Sequence, residues 1–351
     1  MGLFSKGRGT VGLDIGSSSV KLVELKPGRK KGYQLVSLGT AAVPPDSIVD
    51  GALMNATNVG DAIRGIISAA KLRTKECAIS VAGHSVIVKK INLPTMTTEE
   101  LEESIQWEAE QYIPFDINDV NVDFQILGSA AEEGQMSVLL VAAKKDMIND
   151  YITMVRETGL NPVVVDVDAF AVENMFEVNY PITQGEVVAL VNMGASVINI
   201  NVLKGGVTAF TRDVSAGGHQ YTEEIQKTMN VNYDEAEKMK IGAKEAIPPE
   251  LSGIFSSISE NIASEIQRSL DFFSATAAED KIVKIFLSGG CAKTPGLDSA
   301  ISQKANTPVE IVNSFNNIEF SPRTFEPEYI ADISPAAAVA VGLALRIPGD
   351  K

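Results

Sequence analysis

The sequence predicts an α/β protein of two related lobes facing one another across a cleft. Three observations carry that reading. A hairpin with a glycine–serine turn occurs twice. In both halves an amphipathic helix precedes a strand that ends in glycine. A mixed segment rich in short strands interrupts the first half only. An internal repeat of this kind points to two copies of one unit packed around a shared site.

The first hairpin is the run Val11-Gly-Leu-Asp-Ile-Gly-Ser-Ser-Ser-Val-Lys21, with Val20–Leu25 as its return strand. The second is Ala189-Leu-Val-Asn-Met-Gly-Ala-Ser196, with Val197–Leu203 returning, so that Asn192, Gly194 and Ser196 fall on Asp14, Gly16 and Ser18. Glycine allows a turn that a Cβ would block, and successive N–H groups in such a turn can cradle an anion. A single strand-turn-strand of this type also occurs with no ligand; the duplication favours two hairpins that clamp a polyphosphate from both sides. The helices follow the 3.6-residue period. One carries Val59, Ile63, Ile66, Ile67 and Ala70, the other Ile254, Ile258, Ile262, Ile266, Leu270 and Phe273. The first is followed by Ala78–Gly83, and the second by Lys284–Cys291, which with Lys293 and Pro295-Gly296 reads as a strand, a turn at Gly289-Gly290 after Ser288, and a helix start.

From Ser85 to Val167 the alternation predicts a strand at Val86–Ile91, a helix at Thr98–Tyr112 and strands at Asn121–Leu127 and Met136–Ala143. A helix at Asp146–Thr158 and a strand at Pro162–Val167 complete the segment. Glu132, Glu133 and Gly134 mark the turn between the middle strands, and Thr97 with Glu100 forms a capping box.

These residues resemble the actin-like ATPase superfamily. Asp14-x-Gly-Ser with Lys21, the second hairpin, and Ser288-Gly-Gly290 are similar to its phosphate-1, phosphate-2 and adenosine motifs. Within it the chain resembles the PilM family of type IV pilus assembly, through Met1-Gly-Leu-Phe, Ile91-Asn-Leu-Pro and Ile113-Pro-Phe-Asp116. The βαββα insertion is what PilM and FtsA carry as subdomain 1C. The resemblance implies subdomain 1A at 1–84 and 165–183, 1C at 85–164, 2A at 184–218 and 282–351, and 2B at 219–281. An FtsA-type membrane-targeting helix after Leu345 is not expected.

Composition restricts the partners. The net charge of −15 disfavours nucleic acid. No apolar run nears the ~18 residues of a membrane span, and no secretory core follows Lys6 and Arg8. The expected location is cytoplasmic, peripheral to the inner membrane through a membrane-protein partner. Cys77 and Cys291 read as buried free thiols. Seven basic residues in the first 31, Arg29–Lys31 among them, could meet an anionic membrane surface or tip a solvated hairpin. Glu99 to Asp123 holds nine carboxylates and no Lys or Arg, which is either a solvated helix face or an attraction for a basic partner peptide.

The resemblance also assigns roles. ATP would be the ligand, with Mg²⁺ held by Asp14 and Asn192 through water. Gly16, Ser17, Ser18, Ser19 and Lys21 would meet the phosphates from one side, and Gly194, Ala195 and Ser196 from the other. Gly217, Gly289, Gly290 and Lys293 would approach the nucleotide. Glu237 and Lys240 share a helix face at i,i+3, either embracing adenosine or forming a surface ion pair. His219 and His84 read as structural. Asp168 lies where the superfamily orients an attacking water and is the candidate catalytic residue. Asn192 replaces the usual aspartate, which removes charge needed to position a nucleophile and neutralise phosphoryl transfer. The expectation is ATP binding with slow or absent hydrolysis. The implied function is a scaffold that takes the N-terminal tail of PilN in a groove between 1A and 1C, with PilO, PilP and the motor ATPases as indirect partners. An FtsA-like filament protein, or an ATPase or kinase acting on a small molecule, are the alternatives.

Overall fold

The computed structural model describes residues 10–28, 32–129, 133–243, 247–277 and 280–349. Lys6, Arg8, Arg29–Lys31 and Glu132 lie outside the described residues. The first lobe is a six-stranded sheet in the order Asn161–Val167, Glu76–Val81, Val11–Ile15, Ser19–Pro27, Tyr33–Ala42, Ile318–Glu319. The second is a five-stranded sheet in the order Val207–Val214, Ile198–Lys204, Val187–Met193, Ile282–Ser288, Val309–Ile311. In each, a fully buried central strand is flanked by an antiparallel return and a parallel neighbour, so the repeat read from the hairpins extends to whole sheets.

Each sheet buries one face against its amphipathic helix. Val59, Ile63 and Ile66 of Ala56–Ala69 pack into the first-lobe core with Leu13 and Leu22. Ile254, Ile262, Ile266, Leu270 and Phe273 of Pro249–Thr276 pack into the second with Ile198 and Ile200. The opposite faces share a third core, in which helices Asp168–Asn179 and Ala338–Ala344 pack with Val23 and Leu25 from one sheet and Leu190 and Phe286 from the other. The lobes are thereby joined at the base of the cleft through apolar burial, the dominant favourable term in folding.

The insertion is a three-stranded antiparallel sheet, Val86–Pro94, Gln135–Lys144 and Val120–Ser129, covered by Thr98–Glu110. Thr97 and Glu100 form the expected capping box, and Leu101, Ile105 and Ala109 turn inward. Its boundary differs from the expected 85–164. Helix Lys145–Glu157 sends Tyr151, Met154 and Val155 into the first-lobe core. Strand Asn161–Val167 pairs in parallel with Glu76–Val81. Parallel neighbours need a long crossover, and this helix is the part of it that packs on the sheet.

The expected assignment of 282–351 to the second lobe is also corrected at its end. Ile318 and Glu319 pair with Tyr33 and Gln34 of the first sheet, and Ala338–Ala344 packs on Val11–Ile15 and Asp168–Asn179. Small residues permit the crossing. A Cβ on Gly12 would stand 2.0 Å from the Ala340 carbonyl oxygen, and one on Gly342 only 1.7 Å from that of Ala171. Among the described residues no helix is long and apolar enough to cross a membrane.

Candidate functional site

The carboxyl ends of Val11–Ile15 and Val187–Met193 open onto a cleft of about 340 Å³, within the range of ligand sites. The two hairpin turns close alike. The Gly16 N–H donates to the Ser19 carbonyl at 3.2 Å, and the Gly194 N–H to that of Val197 at 2.9 Å. They face each other across the cleft, and the hydroxyls of Ser17 and Ser196 stand 2.9 Å apart.

On the first-lobe side Lys21 Nζ donates to Asp14 Oδ2 at 3.0 Å, with the two side chains only 13% and 11% exposed. Asp168 sits beneath them and accepts from the Ser80 hydroxyl at 2.5 Å. Burial, and then the charge of Asp14, push the Asp168 carboxyl up to about 7, against the lowering influence of Ser80 and Lys21. The carboxyl therefore changes charge near neutrality, as groups at functional sites often do.

The second-lobe side has the same geometry with the charge removed. Asp14 is registered opposite Lys21 in the first hairpin, and Asn192 opposite Asn199 in the second. Where the first pair is an ion pair, the second is an amide pair: Asn192 Nδ2 donates to Asn199 Oδ1 at 3.0 Å. Asn199 Nδ2 donates to Asp213 Oδ1 at 2.8 Å, and Asp213 Oδ2 accepts the Gly83 N–H of the first lobe at 2.7 Å. Ser288 completes the row by donating to Asn192 Oδ1 at 3.3 Å. Burial raises the Asp213 carboxyl, while the bonds from Asn199 and Gly83 oppose the shift.

Toward the helical side of the second lobe, Lys240 Nζ lies 2.7 Å from Glu237 Oε2 and donates to Thr222 Oγ1 at 2.8 Å. Thr222 in turn donates to Glu237 at 2.7 Å. The Glu237–Lys240 pair read from spacing is thus a fixed feature of the cleft wall. Gly289 has φ +94°, which glycine tolerates best, and Gly290 has no heavy atom within 4 Å of a built Cβ, leaving the backbone open to the cleft.

Among the sequence-selected residues the cleft gathers Asp14, Gly16, Ser17, Ser18, Ser19, Lys21, Asp168, Asn192, Gly194, Ala195, Ser196, Glu237, Lys240, Gly289, Gly290 and Lys293. Gly217 stands outside that lining, and Lys293 is engaged elsewhere. Gly217 lets two backbones touch, since a Cβ there would stand 2.5 Å from the Ala195 carbonyl oxygen. Lys293 reaches the cleft rim but donates to the Ala331 and Asp332 carbonyls at 2.8 and 3.0 Å. Cys291 packs on the second-lobe core and also lines the cleft, with its thiol 3.4 Å from the Gly194 carbonyl, whereas Cys77 is fully buried in the first-lobe core. Sequence reasoning missed Ser80, Asn199 and Asp213. Asn199 was legible: it stands seven residues after Asn192, as Lys21 stands seven after Asp14. His219, read as structural, has Nδ1 at 3.2 Å from Ser196 Oγ.

The donor set suits a polyphosphate. It offers hydroxyls from both turns, an ammonium at Lys21 and a carboxylate oxygen at Asp14 for a hard cation. Among the described residues no three His, Cys, Asp or Glu side chains converge as an all-protein metal cage. Mg²⁺ needs none, since it keeps waters and binds through one or two carboxylates and substrate phosphates.

A sequence profile of the type IV pilus assembly protein PilM family matches residues 12–347. Among solved structures, a chain of a PilM–PilN type IV pilus biogenesis complex is 30% identical. The match covers 96% of this chain and 98% of that one, with a TM-score of 0.86. The ethanolamine utilization protein EutJ from Carboxydothermus hydrogenoformans shares the fold at 13% identity and a TM-score of 0.59, over 96% of this chain and 89% of its own. The architecture is the expected actin-like fold, two related lobes around a cleft.

Proposed function

This chain belongs to the PilM family of type IV pilus assembly proteins, and on that premise we propose that it is an ATP-loaded scaffold that takes the N-terminal tail of PilN. The observation that carries the nucleotide half is the pair of opposed turns with Ser17 and Ser196 in contact across the cleft. Ser17, Ser18, Ser19 and Ser196 donate to phosphate oxygens and Lys21 supplies positive charge. Asp14 and the Asn192 amide oxygen would hold Mg²⁺ through water. Glu237 and Lys240 wall the adenosine side. Mg²⁺, when bound, neutralises phosphate charge. A ligand that touches both lobes and not the unfolded chain stabilises their closed arrangement by mass action.

Turnover is slow or absent in this reading. The amide pair Asn192–Asn199 withholds the second carboxylate that would help to position an attacking water. PilN enters a second groove, of about 350 Å³, between the insertion and helix Asp168–Asn179. Phe124, Leu139 and Phe170 give it apolar walls, and Glu173, Asn174 and Glu177 a polar floor. Burial pushes the Glu173 carboxyl up to about 7 against bonds from Thr208 and Asn201 of the second lobe. Asp168 in the cleft and Glu173 in the groove stand on one helix, so the two sites share a rigid element.

The test is anisotropy of a labelled PilN N-terminal peptide against wild-type protein and Phe170→Arg, a half-buried side chain of the groove wall. Saturable binding lost in the variant, with its melting temperature retained, supports the groove. Equal binding by both moves PilN to another surface.

A further inference from the structure

Both hairpin serines belong to a longer row of polar side chains. Ser17 Oγ is 2.9 Å from Ser196 Oγ, Ser196 Oγ is 3.2 Å from His219 Nδ1, and His219 Nε2 is 3.5 Å from the Tyr233 hydroxyl. The row starts at the first-lobe turn, crosses the cleft and ends on helix Tyr233–Gly242, the helix that also carries Glu237 and Lys240. Each member has one hydrogen to share, so the row has two end-to-end polarities. A neutral imidazole enforces this, because one ring nitrogen donates and the other accepts.

The surroundings keep the ring neutral. Burial lowers the His219 pKa, and the nearby Lys240 ammonium lowers it further, against Glu237, Glu223 and Asp46. Lys240 comes from the adjoining helix, Glu223 from the ring's own helix, and Asp46 from the first lobe across the cleft mouth.

We infer that Ser17, Ser196, His219 and Tyr233 form a directional hydrogen-bond relay whose polarity is set by an acceptor-only anion at the two turns. The inference rests on the cleft holding a nucleotide. With ionised phosphate present, every donor points inward. The Tyr233 O–H donates to Nε2, the Nδ1–H donates to Ser196 Oγ, the Ser196 hydroxyl donates to Ser17 Oγ, and the Ser17 hydroxyl donates to phosphate oxygen. In the opposite polarity Ser17 donates to Ser196, Ser196 donates to Nδ1, the Nε2–H donates to the Tyr233 oxygen, and the phenol hydrogen faces away from the ring. Between the two, hydroxyls rotate and one ring proton shifts between Nε2 and Nδ1. The relay's proton count is unchanged. His219 is a positioning residue that aims the Ser196 hydroxyl, and through it the ligand's phosphates are sensed on the helix beside adenosine.

The chain has two histidines, so ring ¹⁵N spectra contain two imidazoles, and His84→Asn leaves His219 alone. The spectrum of this variant is recorded without and with saturating Mg-ATP, and then with adenosine. The relay predicts an Nδ1-protonated ring with ATP and no such enrichment with adenosine. In parallel, His219→Ala should weaken ATP binding about two- to tenfold, the value of one hydrogen bond, and leave adenosine affinity unchanged. His219→Asn, which restores a donor, should recover part of the loss. Tyr233→Phe should shift the ring toward a mixture of tautomers. A tautomer that ATP does not move, or equal losses of ATP and adenosine affinity in His219→Ala, overturns the relay while leaving the nucleotide site intact. Failure of the wild-type protein to bind ATP at all overturns the nucleotide site, and the relay with it.

Discussion

Asn192→Asp is the substitution that speaks most directly to the asymmetry of the cleft. It restores the carboxylate that the first hairpin carries at Asp14, in a side chain only 8% exposed. The present amide donates to Asn199 Oδ1 at 3.0 Å, and Asn199 cannot turn its own amide toward the newcomer without leaving Asp213. The ionised variant therefore loses one hydrogen bond, about 1 kcal/mol, and sets two acceptors face to face in a buried place, a further ~1–3 kcal/mol. The expected loss at neutral pH is about 2–4 kcal/mol. It depends on pH with a definite sign. The folded-state pKa of the new carboxyl is raised above its unfolded value of ~3.9, so its contribution is favourable below that value and is lost as pH rises through the folded pKa. Protonated, it can still donate to Asn199. Urea unfolding at pH 4.5 and 7.5 reads this as a midpoint close to wild type in acid and well below it at neutrality. Asn192→Asp combined with Asn199→Lys reproduces the Asp14–Lys21 register and places the ammonium near Asp213 as well, so the double variant should recover stability lost in the single one. A single variant as stable as wild type at both pH values, or a double variant weaker than the single, would refute the reasoning.

Other expectations follow from the same geometry. Asp168, raised to about 7 from an unfolded ~3.9, contributes stability that is present in acid and lost between about pH 4 and 7 at no more than ~1.4 kcal/mol per pH unit; Asp168→Asn should flatten that part of the profile, leaving the portion due to Glu173. Lys21→Met removes a partner from a poorly exposed Asp14 and a charge from the phosphates, and should weaken Mg-ATP binding tenfold or more by calorimetry. Lys293→Met, whose ammonium is engaged by Ala331 and Asp332, should cost less than threefold. Gly342→Ala places a methyl 1.7 Å from the Ala171 carbonyl oxygen, and overpacking of this kind costs 1–3 kcal/mol or more, seen as a lower melting temperature.

Much of the fold was legible because it is written twice. The hairpins, the two amphipathic helices and the strands Glu76–Val81 and Ile282–Ser288, each soon followed by a glycine, follow from periodicity and from turns that need glycine. The boundaries of the insertion and of the C-terminal segment were not. Helix Lys145–Glu157 has an apolar stripe that would suit either the small three-stranded sheet or the first-lobe core, and only the parallel pairing of Asn161–Val167 with Glu76–Val81 decides between them. Ala338–Ala344 is apolar on every side, which says that it is buried and not against what. The turn residues that line the cleft are ones that local spacing singles out. Ser80 and Asp213 are not, because their partners lie on the opposite lobe or on distant elements: Ser80 meets Asp168 across 88 positions, and Asp213 meets Gly83 across 130. Contacts at such separations leave no local spacing to read.

The most direct test of the scaffold reading combines the two sites in one sample. The affinity of a PilN N-terminal peptide is measured with no nucleotide and with saturating Mg-ATP, while released phosphate is recorded. Saturable peptide binding that Mg-ATP alters, with almost no phosphate released over the same period, is the outcome expected of an ATP-loaded scaffold. Rapid phosphate release with no peptide binding would contradict it and place the chain among enzymes that turn over ATP on another substrate.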